Sequence, residues 1–424
     1  MSDILNESNM RKHIITLLCL LAGWMPLCGQ TMYIHQGAVT TAVPATAAGD
    51  ITYDHAAGTL SLMGQTYHIS ETDALSFSAE NPVAYSVEVN WTETGARVLM
   101  SADLHDLLCV TVDGSRVSLI AAPELQQEVT YTLSGTSADG SFYMDGEYKA
   151  TFVLQNLTLS STQGAPLTID CGKRIAMQLP DGTTTTLADA AGGTHKACLF
   201  INGHAEWQGG GTLNLTGRTK HAYASDEYTE LKAGFGTINV LGSVTDGLHI
   251  EQYFRMEGGT VNVNNCGGDN IDVSITNDPA DERNGQAHIV AGTLNLSVTA
   301  ADTKGLKCDS LITIDGGTLT ATVSGDGGKG ISAGTDLVIS QVTDAQPTLI
   351  RMTVPATTYM PGDPVLEAKA RGIKVKRDFT FNGGTIDITA TGAKAKAISV
   401  DGTYTRNGGS INCVVNATDT VINN

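Results

Sequence analysis

The stretch TKGLKCDSLITIDGGTLTATVSGDGGKGISAGTDLVIS, residues 303–340, states one phrase twice. "KGLKCDSLITI" returns as "KGISAGTDLVIS", with "DGGTLTATV" between the two. Each phrase holds a few residues in apolar/polar alternation bounded by glycine, the pattern of a short strand and not of a helix. Short strands that recur in pairs predict a backbone that winds upon itself.

Working outward, the Gly-Thr or Gly-Ser phrase recurs at Thr212, Thr237, Thr260, Thr293, Thr318, Thr385 and Ser410, at intervals of 25, 23, 33, 25, 67 and 25 residues. The second phrase recurs around Leu248, Ile271, Leu306, Ile331, Ile373 and Ile398. From Leu248, Leu306, Ile373 and Ile398 to the next Gly-Thr or Gly-Ser phrase the distance is 12 residues each time, which fixes a register. The 67-residue interval reads as two coils with an imperfect middle phrase at "PTLIRMTV", and the longer gaps hold insertions at 277–285 and 355–368. A period of about 25 residues fits one coil of a parallel β-helix, with like strands about 4.8 Å apart, whereas a propeller blade needs about 40 residues or more. The fold class is therefore all-β, a parallel β-helix. Leu213, Ile238, Val261, Leu294, Leu319, Ile386 and Ile411 form one inward stack, and the second-phrase aliphatics form another. Asn214, Asn239, Asn262, Asn295, Thr320, Asp387 and Asn412 form an outward polar ladder, read as solvated strand positions with mutually bonded amides.

With 424 residues, 41% hydrophobic and 47 Gly against 11 Pro, the chain can bury a large core. A formal net charge of −19 disfavours nucleic acid as a partner. "MRKHIITLLCLLAGWMPLCGQ" has Arg11 and Lys12, an apolar run from Ile14 to Leu27, and then small and polar residues. It reads as a signal peptide over residues 1–30 of an exported protein: surface-bound, periplasmic or extracellular. No later run is long enough to span a membrane. Residues 31–84 alternate like strands and read as an N-terminal β module or cap, with residues 85–424 as the β-helix. Beyond the leader, Cys109, Cys171, Cys198, Cys266, Cys308 and Cys413 are widely scattered and read mostly as small inward hydrophobes, while export leaves room for one or two disulfides.

The run "YTLSGTSADGSFYMDGEYKATFVLQNLTLSSTQGAPLTIDCGKRIAMQLPDGTTTTLADA", followed by "GGGTLNL", "DGLHI", the 303–340 stretch and "GGTIDITATGAKAKAISV", resembles a bacterial carbohydrate-binding family. The resemblance runs from about residue 85 to about residue 416 and links these phrases in order. It implies a calcium-containing right-handed parallel β-helix with a pectate-lyase-like scaffold. It also implies binding of plant-wall polysaccharide, especially acidic pectin-like chains, without need for lyase chemistry.

Two positions before the second-phrase aliphatic stand Asp246, Asp269, Lys304, Lys329, Arg371 and Lys396. Like charges on successive rungs repel, so the basic run needs solvent or an anion. Together with Lys307 and Lys374, these cations could receive the carboxylates of a polyuronate. The alternative is a solvated edge balanced by Asp302, Asp309, Asp326 and Asp336. Calcium needs several oxygen ligands, and Asp246, Glu251, Asp269 and Asp272 offer four carboxylates in nearly matching columns. A catalytic constellation is not expected: "TDG", "GDNID" and "RGIKV" faintly resemble polygalacturonase fragments, but each follows from the repeat, and His204, His221 and His249 are scattered. A lyase or glycoside hydrolase on the same fold, and an adhesin for host glycans, stay as alternatives. With 5% aromatic residues and Trp91 and Trp207 as the tryptophans beyond the leader, no platform for stacking sugar rings is evident, although Tyr223, Tyr228, Tyr253 and Phe254 could form a small one.

Overall fold

The structure, a computed structural model, describes residues 31–44, 51–80, 82–362 and 367–416, with the backbone of 422–423. The targeting segment read over residues 1–30 lies outside the described residues. Among the described residues no helix is long and apolar enough to cross a membrane.

Each coil has three strands, and like strands stack in parallel, forming a parallel β-helix with three faces. In the coil that decides the fold, face I is Lys304–Cys308, face II is Ile312–Ile314 and face III is Gly317–Val323. The next coil repeats them as Lys329–Ala333, Leu337–Ile339 and Thr348–Val354, each parallel to its predecessor. The phrase "PTLIRMTV" thus supplies the middle coil of the long interval, with Ile350 between Leu319 and Ile386 in the inward stack. Faces II and III merge early in the chain through the long strand Ala150–Ser161, whose first half pairs with Arg174–Gln178 and second half with Thr184–Asp189.

Register places Leu248, Ile271, Leu306, Ile331, Ile373 and Ile398 on consecutive rungs, all with no exposed surface. The inward stack of face III is also continuous, and it ends at the half-buried Ile411. Gly317 shows why glycine opens the face III strand. Its φ is +86°, and a Cβ there would sit 2.5 Å from the Gly292 carbonyl oxygen one rung away, so a side chain would be strained and would clash.

Residues before the β-helix form antiparallel strands. Thr31–Gln36 pairs with both Val39–Pro44 and Ala74–Ser78, while Thr52–Asp54, Thr59–Leu62 and Gln65–His68 make a separate small sheet. Ile34, Val43, Leu60, Leu62 and Tyr67 pack in a cluster apart from the solenoid core. Val39–Pro44 pairs with Gly95–Ser101, which pairs with Ser86–Thr92, the first strand of the face II column. These strands occupy an edge that the first coil would otherwise leave open.

The six described cysteines are free thiols. Cys171, Cys198, Cys266 and Cys308 are buried, and burial pushes each of these thiols above its ordinary value. A thiolate reagent at pH 8 is therefore expected to label exposed Cys109 in the native protein and to leave those four unlabelled until denaturant is added. Peptide mass spectrometry reads the result, and rapid native labelling of Cys308 would contradict the packed stack.

Candidate functional site

The outward side of face I carries the charged columns. Lys304, Lys329, Arg371 and Lys396 stand on consecutive rungs, as their spacing predicts. Their mutual repulsion is answered within the chain. Lys304 Nζ donates to the Asp302 carbonyl at 2.6 Å, and Lys329 Nζ donates to Asp302 Oδ1 and the Gly327 carbonyl, both at 3.0 Å. Arg371 is buried and donates to the carbonyls of Ala370 at 2.7 Å and Lys394 at 3.3 Å, and Lys396 is likewise engaged. Burial, with the neighbouring Lys304 and Arg371 charges, holds the Lys329 ammonium below its usual range despite Asp302.

Lys307 and Lys374 share the adjacent column but lie two rungs apart, with Ser332 between them. Lys307 Nζ donates to Asp272 Oδ1 at 2.6 Å and lies 3.2 Å from Asp309 Oδ1, while Lys374 pairs with Asp401. Of the four acids weighed as balancing this edge, Asp302 and Asp309 do so. Asp326 instead accepts from the Thr357 amide and hydroxyl, and Asp336 pairs with Arg377.

At the acidic end of the same columns, Asp246 Oδ2 lies 3.1 Å from His221 Nδ1 and 3.5 Å from His249 Nδ1. Asp246 Oδ1 accepts from the Asp269 amide at 2.7 Å, Asp269 Oδ1 accepts from the Lys304 amide at 2.8 Å, and His249 Nδ1 lies 3.0 Å from Asp272 Oδ2. Asp246, Asp269 and Asp272 therefore share one patch. Glu251 does not join it; its carboxylate is 3.6 Å from Lys196 Nζ, which also pairs with Asp226. Burial alone would raise Asp246, but the two imidazoles hold it well below the usual carboxylate range. Asp269 is pushed up to about 6 by burial, against the pull of Lys304. Burial would lower His249, yet Asp246 and Asp272 outweigh it and raise the imidazole to about 9, whereas burial dominates at His221 and lowers it.

The two histidines that look scattered in sequence are neighbours in space. Tyr223 pairs with Leu248, so His221 falls one rung from Asp246, and the rings of His221 and His249 stack at 4.5 Å between centroids. An aromatic residue stands at Tyr223 where later coils have Leu or Ile, which hides the phrase; counting offsets from Tyr223 would have found the pair.

These residues do not fit calcium. A hard cation of that size takes six to eight oxygens. Here the three carboxylates are held by two imidazoles, two backbone amides and the Lys307 ammonium, and nitrogen occupies positions an oxygen cage would need.

Face III offers a different surface. The amides of Asn239, Asn262 and Asn295 each donate to the asparagine oxygen one rung earlier, at 2.9, 2.8 and 2.8 Å, so this part of the ladder is bonded to itself. Beyond it the column continues as Thr320, Arg351, Asp387 and Asn412, and the face opens into a cleft of about 590 Å³ also lined by Thr322, Thr353 and Thr389. The Arg351 side chain is 61% exposed, and its Nε stands 3.9 Å from Asp387 Oδ2, beyond hydrogen-bond reach. Sequence reasoning missed Arg351 because its coil lacks the Gly-Thr phrase, although alternation across "TLIRMTV" turns it outward.

The aromatic residues do not make an open platform. Trp91, Trp207, Tyr223 and Phe254 are buried. Tyr228 stacks on Tyr253 at 4.7 Å between centroids, and the His204 ring lies tilted against Tyr228 at 4.6 Å, so the tyrosine faces cover one another.

A family model described as carbohydrate-binding domain-containing protein matches residues 121–419. A carbohydrate-binding domain-containing protein from Acetivibrio thermocellus is 24% identical over 137 residues, which is 29% of this chain and 48% of the relative. The chain thus spans about half the length of that relative. In fold, the chain is similar to a polysaccharide lyase-like protein from C. thermocellum, with a TM-score of 0.51 and 20% identity over 63% of this chain and 99% of the other. With its family model covering most of the solenoid, the chain belongs to the family of carbohydrate-binding domain-containing proteins.

Proposed function

We propose that the protein is an exported, non-catalytic binder of plant-wall or other acidic polysaccharide, and that the polymer lies along face III. The observation that carries this reading is the row Thr320, Arg351, Asp387 and Asn412, one polar group per rung, opening into the 590 Å³ cleft. Rungs repeat about every 4.8 Å, close to the length of one sugar residue, so a chain parallel to the solenoid axis meets a fresh polar group with each sugar. Asn412 Nδ2 donates to Asp387 Oδ1 at 2.8 Å, which leaves Asp387 Oδ2 and the Asn412 amide oxygen as acceptors for ring hydroxyls, and the Arg351 guanidinium presents a fork to a uronate carboxylate. Each contact is weak; their repetition on one polymer supplies avidity.

The basic columns of face I are the less favoured location, because their ammonium groups are already hydrogen-bonded to carbonyls and carboxylates of the chain. A polyanion also approaches a protein of net charge −19, so long-range attraction does not assist it, and the short-range guanidinium contact has to carry acidic specificity. The lyase-like neighbour keeps an enzymatic reading on the table for the test.

Affinity electrophoresis and calorimetry with polygalacturonate and a neutral glucan test the proposal. The double variant Arg351→Ala/Asp387→Ala is expected to weaken polygalacturonate binding tenfold or more, and Lys304→Ala/Lys396→Ala to leave it within twofold. Equal binding by the face III variant overturns the location. Unsaturated products or new reducing ends after incubation with the wild type overturn the non-catalytic reading.

A further inference from the structure

We propose that His221, Asp246 and His249 form a binding site for a transition-metal ion of the zinc class on face I, separate from the polysaccharide cleft of face III. The winding assembles it. Parallel register brings the column containing His221 and Asp246 to a spacing of one rung, and His249 lies on the same strand as the aliphatic that follows Asp246. One donor atom from each of the three residues lies within 4.8 Å of the other two. The separations of 3.1 Å and 3.5 Å from Asp246 Oδ2 to the two Nδ1 atoms bracket the value of about 3.3 Å expected between neighbouring ligands of a tetrahedral ion with bonds of about 2.0–2.1 Å.

The donor set selects the class of ion. Two imidazoles and one carboxylate suit a borderline cation such as Zn²⁺ or Co²⁺, and they are poor company for a hard, oxygen-seeking one. The surroundings hold the carboxylate in place. The Asp269 amide fixes Asp246 Oδ1 and so turns Oδ2 toward the imidazoles, as a supporting hydrogen bond does around a metal ligand. Side-chain exposures of 4%, 16% and 19% for His221, Asp246 and His249 leave the patch half-closed, with access from one side for a water or for Asp272 as a fourth ligand.

One rearrangement is required. The two rings lie within 15° of parallel, so their lone pairs run side by side and do not converge. Turning one imidazole about its Cβ–Cγ bond aims both nitrogens at a common point, which means that capture of the ion breaks the ring stack.

The test uses the full chain, stripped with chelator and dialysed, then titrated with Co²⁺, Zn²⁺ and Ca²⁺ alone. One equivalent of Co²⁺ is expected to bind with the visible absorption of a four-coordinate ion, to be displaced by Zn²⁺, and to be unaffected by a tenfold excess of Ca²⁺. His249→Gln and Asp246→Asn are expected to lose more than the roughly 10–100-fold in affinity that follows loss of an outer-shell partner. His288→Gln, at the half-buried pair with Asp315 on face II, is expected to bind as the wild type does. Absence of stoichiometric Co²⁺ or Zn²⁺ binding by the wild type overturns the proposal whether or not the variants fold. Unchanged affinity in folded His249→Gln, or displacement by Ca²⁺, overturns it as well.

Discussion

Leu306→Ala is expected to lower the free energy of unfolding by about 2–5 kcal/mol, and to do so locally. Leu306 has no exposed surface and lies between Ile271 and Ile331 on the rungs either side. Removing its isobutyl group strips contacts from both neighbours and leaves a void that a stack of regular rungs cannot collapse around. In a solenoid each coil is stabilised by its nearest neighbours, so the loss should concentrate there. Hydrogen exchange should accelerate first in the strands at Ile271–Ser274, Lys304–Cys308 and Lys329–Ala333, while amides of Leu167–Asp170 keep their protection. Urea denaturation with peptide-resolved exchange measures both parts. A cost below about 1 kcal/mol, or uniform loss along the chain, would be incompatible with leucine filling a rung of the core.

The same residue shows why so much of the fold was legible. Two phrases of four to seven residues, each opened by a residue type with a geometric task, repeat at a fixed separation, and the separation alone assigns inside and outside. The strand of face II belongs to the repeat but shows no column of its own in the sequence. Ile312–Ile314 and Leu337–Ile339 are three residues each, and three residues contain a single alternation, too little to distinguish a strand from a loop. In earlier coils the phrase is disguised by large side chains in inward positions, such as Phe142 and Tyr223, which fill the core as later leucines and isoleucines do.

Columns on the surface were also legible, and their contacts were not. Spacing places Lys304 beneath Lys329, but the groups that accept from them are the Asp302 carboxylate and one backbone carbonyl from the turn before each strand, whose positions follow from the turn's conformation and not from the repeat. Glu251 fails to meet Asp272 for a related reason. It is the last residue of its strand, in register with Ser274 and not with Asp272, and its carboxylate reaches back to Lys196, which also pairs with Asp226. Arg351 escapes the repeat because its coil lacks the Gly-Thr phrase that marks the outward positions elsewhere.

Asp189, the last residue of the strand Thr184–Asp189, is the extreme case. Its side chain has no exposed surface, and it accepts from His195 Nε2 at 2.7 Å, from the Thr219 amide at 3.1 Å and from the Arg218 amide. Arg218 Nη1 returns a bond to the Asp189 carbonyl at 2.7 Å. One carboxylate thereby ties the turn after its own strand to the corresponding turn of the next coil, on a stretch where no inward aliphatic can do so. Asp189→Ala leaves two backbone amides and an imidazole without their acceptor and is expected to cost about 3–5 kcal/mol. Asp189→Asn keeps the volume and one acceptor oxygen and loses the charge, so about 1–2 kcal/mol is expected. The size of the asparagine cost distinguishes a hydrogen-bonding role from simple packing, because a packing role would make asparagine nearly silent. Urea denaturation gives the costs, and hydrogen exchange at the Arg218 and Thr219 amides gives the location. If both variants stay within about 0.5 kcal/mol of the wild type, the turns are held by their glycines and backbone bonds, and Asp189 is a passenger in a site built without it.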